Sequence, residues 1–196
     1  MQITTEDELV SGSTRNWSRR ALIGGAAALG TALMIPAGAQ AAAHGEWRLA
    51  FRNVHTNERI DALFARAGRF LPAGLAEINH GLRDWRTGES HVIDQRLLGL
   101  LVRLRDTLGV APARPIDLIS GYRSPKTNKT LKAAGGSHSG VASKSQHLLG
   151  RATDIAVPGV KLDTLRSAAT ALKGGGVGYY PRDGFVHVDV AGVRHW

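Results

Sequence analysis

The residues best suited to chemistry stand late in the chain, at His147, Asp154 and His187. Asp154 lies in Ala152-Thr153-Asp154-Ile155-Ala156, a stretch that reads as a strand. A period of two puts its carboxylate on the face of Ala152 and Ala156, opposite Ile155. A carboxylate in such apolar surroundings needs a partner, because burying it alone is costly. In Phe185-Val186-His187-Val188-Asp189-Val190 the same period sets three valines on one face and Phe185, His187 and Asp189 on the other. Two imidazoles and a carboxylate converging on a concave face would offer three ligands to zinc and leave a fourth position for water. Each residue alone has a plainer use. A strand histidine such as His187 commonly just hydrogen-bonds a neighbour, and Asp154 is equally able to pair with Arg151 or cap a turn. No local motif of the H-E-x-x-H kind is present, so spacing alone does not decide.

Composition narrows the field. The 196 residues contain no cysteine, which removes disulfide scaffolds, thiol nucleophiles, iron–sulfur clusters and thiolate zinc sites. Any metal must therefore be held by histidine and carboxylate. The formal charge is +9, from 25 Lys and Arg against 16 Asp and Glu, and favours a polyanionic neighbour such as nucleic acid, a lipid surface or an anionic cell wall.

The elements that must position the three residues read as a mixed α+β domain. Residues 46–63 alternate apolar and polar around the turn Thr56-Asn57-Glu58, a hairpin. Pro72 opens a helix reaching about Trp85, and a second helix follows Asp94, its N-cap, with Leu97, Leu98, Leu101, Leu104 and Leu108 on one face. Ile116–Ser120 is a short strand, and Ser124-Pro125 starts another helix. Residues 135–146 show no period and read as a mobile loop, with no role for His138. A strand around Ala152–Val157, a helix with Leu162, Leu165, Ala169 and Leu172 inward, and paired strands at Val177–Tyr180 and Phe185–Val190 complete the domain.

The N-terminal segment reads as an address. Ala21–Ile35 carries no charge, yet it is short of the roughly 20 apolar residues that span a bilayer. Arg19-Arg20 precede it and Ala39-Gln40-Ala41-Ala42-Ala43 follow, the order of a cleavable signal peptide. Ser18-Arg19-Arg20-Ala21-Leu22-Ile23 resembles a twin-arginine export signal, departing from it at Leu22 and Gly24. The expected division is a signal over residues 1–41 and a mature domain over 42–196. The mature domain keeps the +9 charge, because residues 1–41 hold three basic and three acidic side chains.

Four stretches together resemble the murein endopeptidase K family, within the D-alanyl-D-alanine carboxypeptidase-like zinc peptidases of bacterial cell walls. They are Ser120-Gly121-Tyr122-Arg123-Ser124, Ser145 through Ile155, Gly175-Gly176-Val177-Gly178-Tyr179-Tyr180, and Phe185-Val186-His187-Val188-Asp189. The resemblance covers nearly the whole mature domain, with its motifs in order. It implies zinc on His147, Asp154 and His187, a small α+β fold with an antiparallel sheet floor and flanking helices, and peptidoglycan cross-links or stem peptides containing D-amino acids as substrates. It further implies that Arg123 grips a substrate carboxylate, to which a guanidinium fork is suited; Ser145, two residues before the first ligand, is expected to touch substrate or metal-bound water.

Residue by residue, the resemblance leaves one gap. Many relatives carry a histidine two residues before the last ligand, or a glutamate three before it, as general base. Here those positions are Phe185 and Gly184, which accept no proton. Asp189, two residues after the ligand on the same strand face, is the candidate base, with an orienting role behind His187 as the alternative. Asp183, in the turn Pro181-Arg182-Asp183-Gly184, is a weaker candidate whose plainer use is to form that turn.

The expected protein is thus an exported, periplasmic or wall-associated zinc peptidase. It is expected to act as a monomer, with no membrane span after signal removal and no nucleic-acid partner, since no recognition motif accompanies the charge. The alternative is a peptidoglycan-binding protein that keeps the zinc pocket but has lost its base. Replacing both Arg19 and Arg20 with Lys is expected to block export, leaving a cytoplasmic precursor that retains residues 1–41. Immunoblots of cell fractions check this, and normal export of the double variant would contradict the twin-arginine reading.

Overall fold

A computed structural model describes residues 45–134 and 142–196. The expected signal segment and the 135–141 part of the expected mobile loop, with His138, lie outside the described residues. The strands are β1 (Glu46–Asn53), β2 (Arg59–Arg66), β3 (Arg69–Phe70), β4 (Ile116–Ser120), β5 (Ala152–Ala156), β6 (Gly176–Tyr180), β7 (Phe185–Asp189) and β8 (Arg194–His195). The helices are α1 (Pro72–Gly81), α2 (Gln95–Thr107), α3 (Pro125–Ala134) and α4 (Leu162–Ala171), with a 3-10 turn at Gln146–Leu149. Among the described residues no helix is long and apolar enough to cross a membrane.

All eight strands form one sheet in the order β3-β2-β1-β4-β5-β7-β6-β8. The expected α+β class holds, but the sheet is mixed rather than antiparallel. Tight connections such as that between β6 and β7 reverse the chain and give antiparallel pairs. Between β2 and β4 the chain instead runs through α1 and α2, and it returns beside β1 in the same direction. Residues 190–193 likewise carry the chain past β7, and β8 lies parallel to β6.

One face of the sheet is the core. Leu49, Phe51, Phe64, Leu118, Ile155, Val186 and Val188 pack with Ile78 of α1, Leu97, Leu98, Leu101 and Leu104 of α2, and Leu165 of α4. Asp94 caps α2 by accepting from the Arg96 amide (2.9 Å), the bond that frees a helix start from unpaired donors. Strand alternation then turns Asp154, His187 and Asp189 to the opposite face.

The first helix is shorter than its apolar stripe predicts. It ends at Gly81, and Leu82 already leaves helical geometry. The cause is Asp84, whose buried carboxylate accepts from the amides of Arg86 (3.0 Å) and Ser124 (2.9 Å). This draws the chain toward the loop after β4, and Trp85 stacks on His55 with ring centroids 4.2 Å apart. The resulting contact fixes the Gly121–Ser124 loop at the edge of the site.

Helix α1 lies so close to β2 that a Cβ at Gly74 would sit 2.1 Å from the Leu63 carbonyl oxygen. Gly74→Ala should therefore destabilise the fold by about 1–3 kcal/mol or more through overpacking, although alanine favours helix. A lowered denaturant midpoint at unchanged slope would confirm this, and an unchanged or raised midpoint would refute it.

Candidate metal centre

His147, Asp154 and His187 are brought together by three different local devices. Asp154 and His187 are direct partners in the antiparallel register of β5 and β7. His147 comes from the 3-10 turn, which Ser145 caps by accepting from the His147 amide (3.3 Å). Gly150 ends that turn with φ +62, where a Cβ would also strike the Val92 carbonyl oxygen at 2.3 Å. The position therefore requires glycine.

The ligand atoms lie within 4.8 Å of one another, and all three residues are buried. Nδ1 of His187 is 2.8 Å from Oδ1 of Asp154, and Nε2 of His147 is 3.2 Å from both. The outward nitrogens define the protonation. Nδ1 of His147 lies 2.7 Å from the Gly121 carbonyl oxygen, which only accepts, so it carries the hydrogen. Nε2 of His187 lies 3.1 Å from Oδ2 of Asp189, so it donates outward too. What faces the centre is then three lone pairs: two imidazole nitrogens and a carboxylate oxygen.

Three acceptors at such distances repel one another unless a positive charge joins them. Burial alone would lift the Asp154 carboxyl, but the two histidines hold it well below the usual carboxylate range. Burial alone would lower His187, yet the carboxylates of Asp154 and Asp189 raise it above the usual histidine value. A divalent cation supplies the joining positive charge for all three at once. Two of the three ligand-atom separations, at 3.2 Å, come close to the roughly 3.3 Å expected across a tetrahedral ion with bonds of about 2.0–2.1 Å, and the third, between His187 and Asp154, is shorter at 2.8 Å. Two neutral imidazoles and one carboxylate form a donor set suited to zinc, and the second nitrogen of each histidine is anchored as metal-bound imidazoles require.

Asp189 lies behind this cluster. Its carboxylate is fully buried and accepts from the amides of Gly176 and Ala191 (both 2.9 Å), from Arg194 Nη2 (2.6 Å) and Nη1 (3.2 Å), and from His187. Burial opposes the charge, but these donors hold the carboxyl well below its ordinary range. It meets the His187 ring at the edge facing away from the other two ligands.

Arg123 enters from the opposite wall. Its Nη2 is 3.4 Å from Asp154 Oδ2 and 3.5 Å from Ser120 Oγ, both long contacts. Its buried Nε has no partner among the described residues. Burial lowers its pKa, and the Asp154 carboxylate partly offsets this. Ser145, expected against substrate, lines the same cleft, as do Lys144, Tyr180, Phe185, Arg194 and Trp196. Asp154 is the single carboxylate side chain in that lining among the described residues. Tyr180, Arg194 and Trp196 were not singled out from the sequence; their approach depends on the β6–β7 and β6–β8 pairings, which spacing does not show.

The model of the family described as peptidoglycan L,D-endopeptidase MepK (Peptidase_M15_2) matches residues 41–196. The chain belongs to this family. Among curated relatives, the peptidoglycan L,D-endopeptidase MepK of Escherichia coli strain K12 is 41% identical over 179 residues, covering 91% of this chain and 96% of that protein. The probable peptidoglycan L,D-endopeptidase MepK of Haemophilus influenzae is 40% identical over 148 residues, covering 76% and 77%. No solved structure matches the chain. Membership in a peptidase family agrees with a buried His-Asp-His centre that lines an open cleft.

Zinc added to metal-free protein should raise its thermal midpoint, because an ion bound only by the folded state stabilises it by mass action. His187→Ala should lose that increment, and equilibrium dialysis should fall from about one zinc per chain to near zero. Equal zinc-dependent shifts in the two proteins would count against the centre.

Proposed function

We propose that this chain is a zinc-dependent endopeptidase of peptidoglycan, exported by the signal in residues 1–41 and acting as a monomer in the periplasm or at the wall through the domain 42–196. The observation that carries the proposal is the pairing, in one cleft, of three converging acceptor atoms with a half-buried guanidinium whose enclosed Nε has no partner among the described residues. His147, Asp154 and His187 would hold the zinc. When bound, it supplies Lewis acidity toward water and toward a peptide carbonyl.

The chain's own residues do the rest. Arg123 offers Nε and its terminal nitrogens to a substrate carboxylate, and the scarcity of other partners leaves those donors to the ligand. Lys144 adds positive charge to the cleft, which suits stem peptides with free carboxylates. Ser145 fixes the His147 turn by accepting from its amide, and it stands beside the substrate path. Asp189 serves as the partner that orients His187 and keeps its hydrogen on Nε2. It is too enclosed, and too fully occupied by donors, to collect a proton from water in the cleft.

The relatives' names specify an L,D bond. Carried to this chain, that favours the bond joining two diaminopimelates over the bond from D-alanine to diaminopimelate. In the first the carbonyl belongs to an L-centre, whereas the second joins two D-centres.

The test is digestion of purified cross-linked muropeptides, with masses read before and after. Cleavage that stops with chelator and returns with zinc is expected. Intact substrate in zinc-replete protein would favour the wall-binding alternative. In the same assay Asp189→Asn should weaken zinc affinity by about 10–100-fold and recover turnover at raised zinc. A loss of about 10²–10⁴-fold that zinc does not repair would instead make Asp189 the base.

A further inference from the structure

One wall of the cleft is built from aromatic side chains that the proposed peptidase function leaves without a task. Tyr180 and Phe185 are cross-strand partners on β6 and β7, and their rings stack at 4.7 Å with an interplanar angle of 22°. Phe185 occupies the position at which relatives of the wider family were expected to carry a base, and here it braces the Tyr180 ring. Trp196 closes the arrangement. Its indole Nε1–H donates to the Tyr180 hydroxyl oxygen at 2.8 Å, and its ring lies 5.4 Å from that of His187.

The tryptophan is set there by the backbone. The Tyr179 amide donates to the Trp196 carbonyl (3.0 Å), and the Trp196 amide donates to the Val177 carbonyl (3.2 Å). Gly178, directly opposite His187 in the register, supplies the space. A Cβ at Gly178 would come within 2.8 Å of both the Trp196 and the Tyr180 rings. Tyr180 is two residues from Gly178 on the same strand, so it shares the sheet face of His187.

The direction of the indole bond has a chemical consequence. A phenol oxygen that accepts from an N–H retains its own proton for another acceptor. Both Tyr180 and Trp196 line the cleft that contains the His-Asp-His centre and Arg123. We propose that Tyr180 is a catalytic residue that donates its hydroxyl hydrogen to the carbonyl oxygen of the scissile peptide as charge develops there, with Trp196 and Phe185 as its positioning residues. Donors fixed in advance at the site of a developing oxyanion lower the barrier because they need no reorganisation during the reaction. Arg123 is assigned to the substrate carboxylate and Arg194 is engaged with Asp189, whereas the Tyr180 hydroxyl keeps its hydrogen for the reacting carbonyl.

This inference rests on the peptidase reading, and its test separates the two. Tyr180→Phe keeps the stacked ring and removes only the hydroxyl. On cross-linked muropeptide it should lower kcat by about 10²-fold while KM stays within about twofold, with zinc content and thermal midpoint unchanged. Affinity for a phosphinate analogue of the tetrahedral stage should fall by a similar factor, while affinity for a product peptide should not. Trp196→Phe, which loses the indole donor, should weaken the analogue by a smaller factor. Tyr180→Phe with wild-type kcat and analogue affinity overturns the inference and leaves the peptidase reading intact. So does a loss of activity that tracks loss of zinc. A zinc-replete wild type that cuts no muropeptide overturns both.

Discussion

The organising constraint is a set of three lone pairs held face to face by hydrogen bonds that point away from them. The Gly121 carbonyl and the Asp189 carboxylate each take an imidazole proton outward, which leaves Nε2 of His147 and Nδ1 of His187 bare beside Asp154. Such a cluster is unfavourable in a dry interior unless a cation or an extra proton completes it. Much of the surrounding structure exists to keep the three atoms where they are. The β5–β7 register, the capped 3-10 turn and the left-handed Gly150 each remove one way of relaxing apart.

The support extends well beyond the ligands. Asp189 is itself held by two backbone amides and by Arg194 from β8, so a short edge strand helps fix the orientation of an imidazole on β7. On the other side, Asp84 reaches from the end of α1 to the Ser124 amide and steadies the loop that provides both the Gly121 carbonyl and Arg123. The site is therefore a property of the sheet and its loops together. A family resemblance carried by four separated stretches reflects this, because each stretch supplies a different contact to one small volume.

Much of this was legible in the chain itself. Period-two alternation in residues 185–190 separated the valines from His187 and Asp189, and the structure buries Val186 and Val188 in the core. The Asp94 cap, the hairpin over 46–63 and the break at Gly174–Gly176 were local signals with local causes. The mixed character of the sheet was not legible, because strand direction depends on how α1 and α2 carry the chain between β2 and β4. Nor was the early end of α1, since the apolar stripe continues to Trp85 and what stops it is a hydrogen bond that the Asp84 carboxylate accepts from the Ser124 amide, 40 positions later. The enclosure of Asp189 behind His187 was equally hidden. Residues two apart on a strand share a face, but the period does not say which edge of the ring the carboxylate meets.

The absence of cysteine gives the centre a second meaning. His147 and His187 are 40 residues apart in sequence, and between them run β5, α4, β6 and the first two residues of β7. An ion gripping both would close that long loop as a covalent bridge does, shrinking the freedom of the unfolded chain. Unlike a disulfide, this staple is indifferent to redox conditions and can be withdrawn by any competing chelator. Metal supply would then set how long the folded chain survives as well as how fast it works.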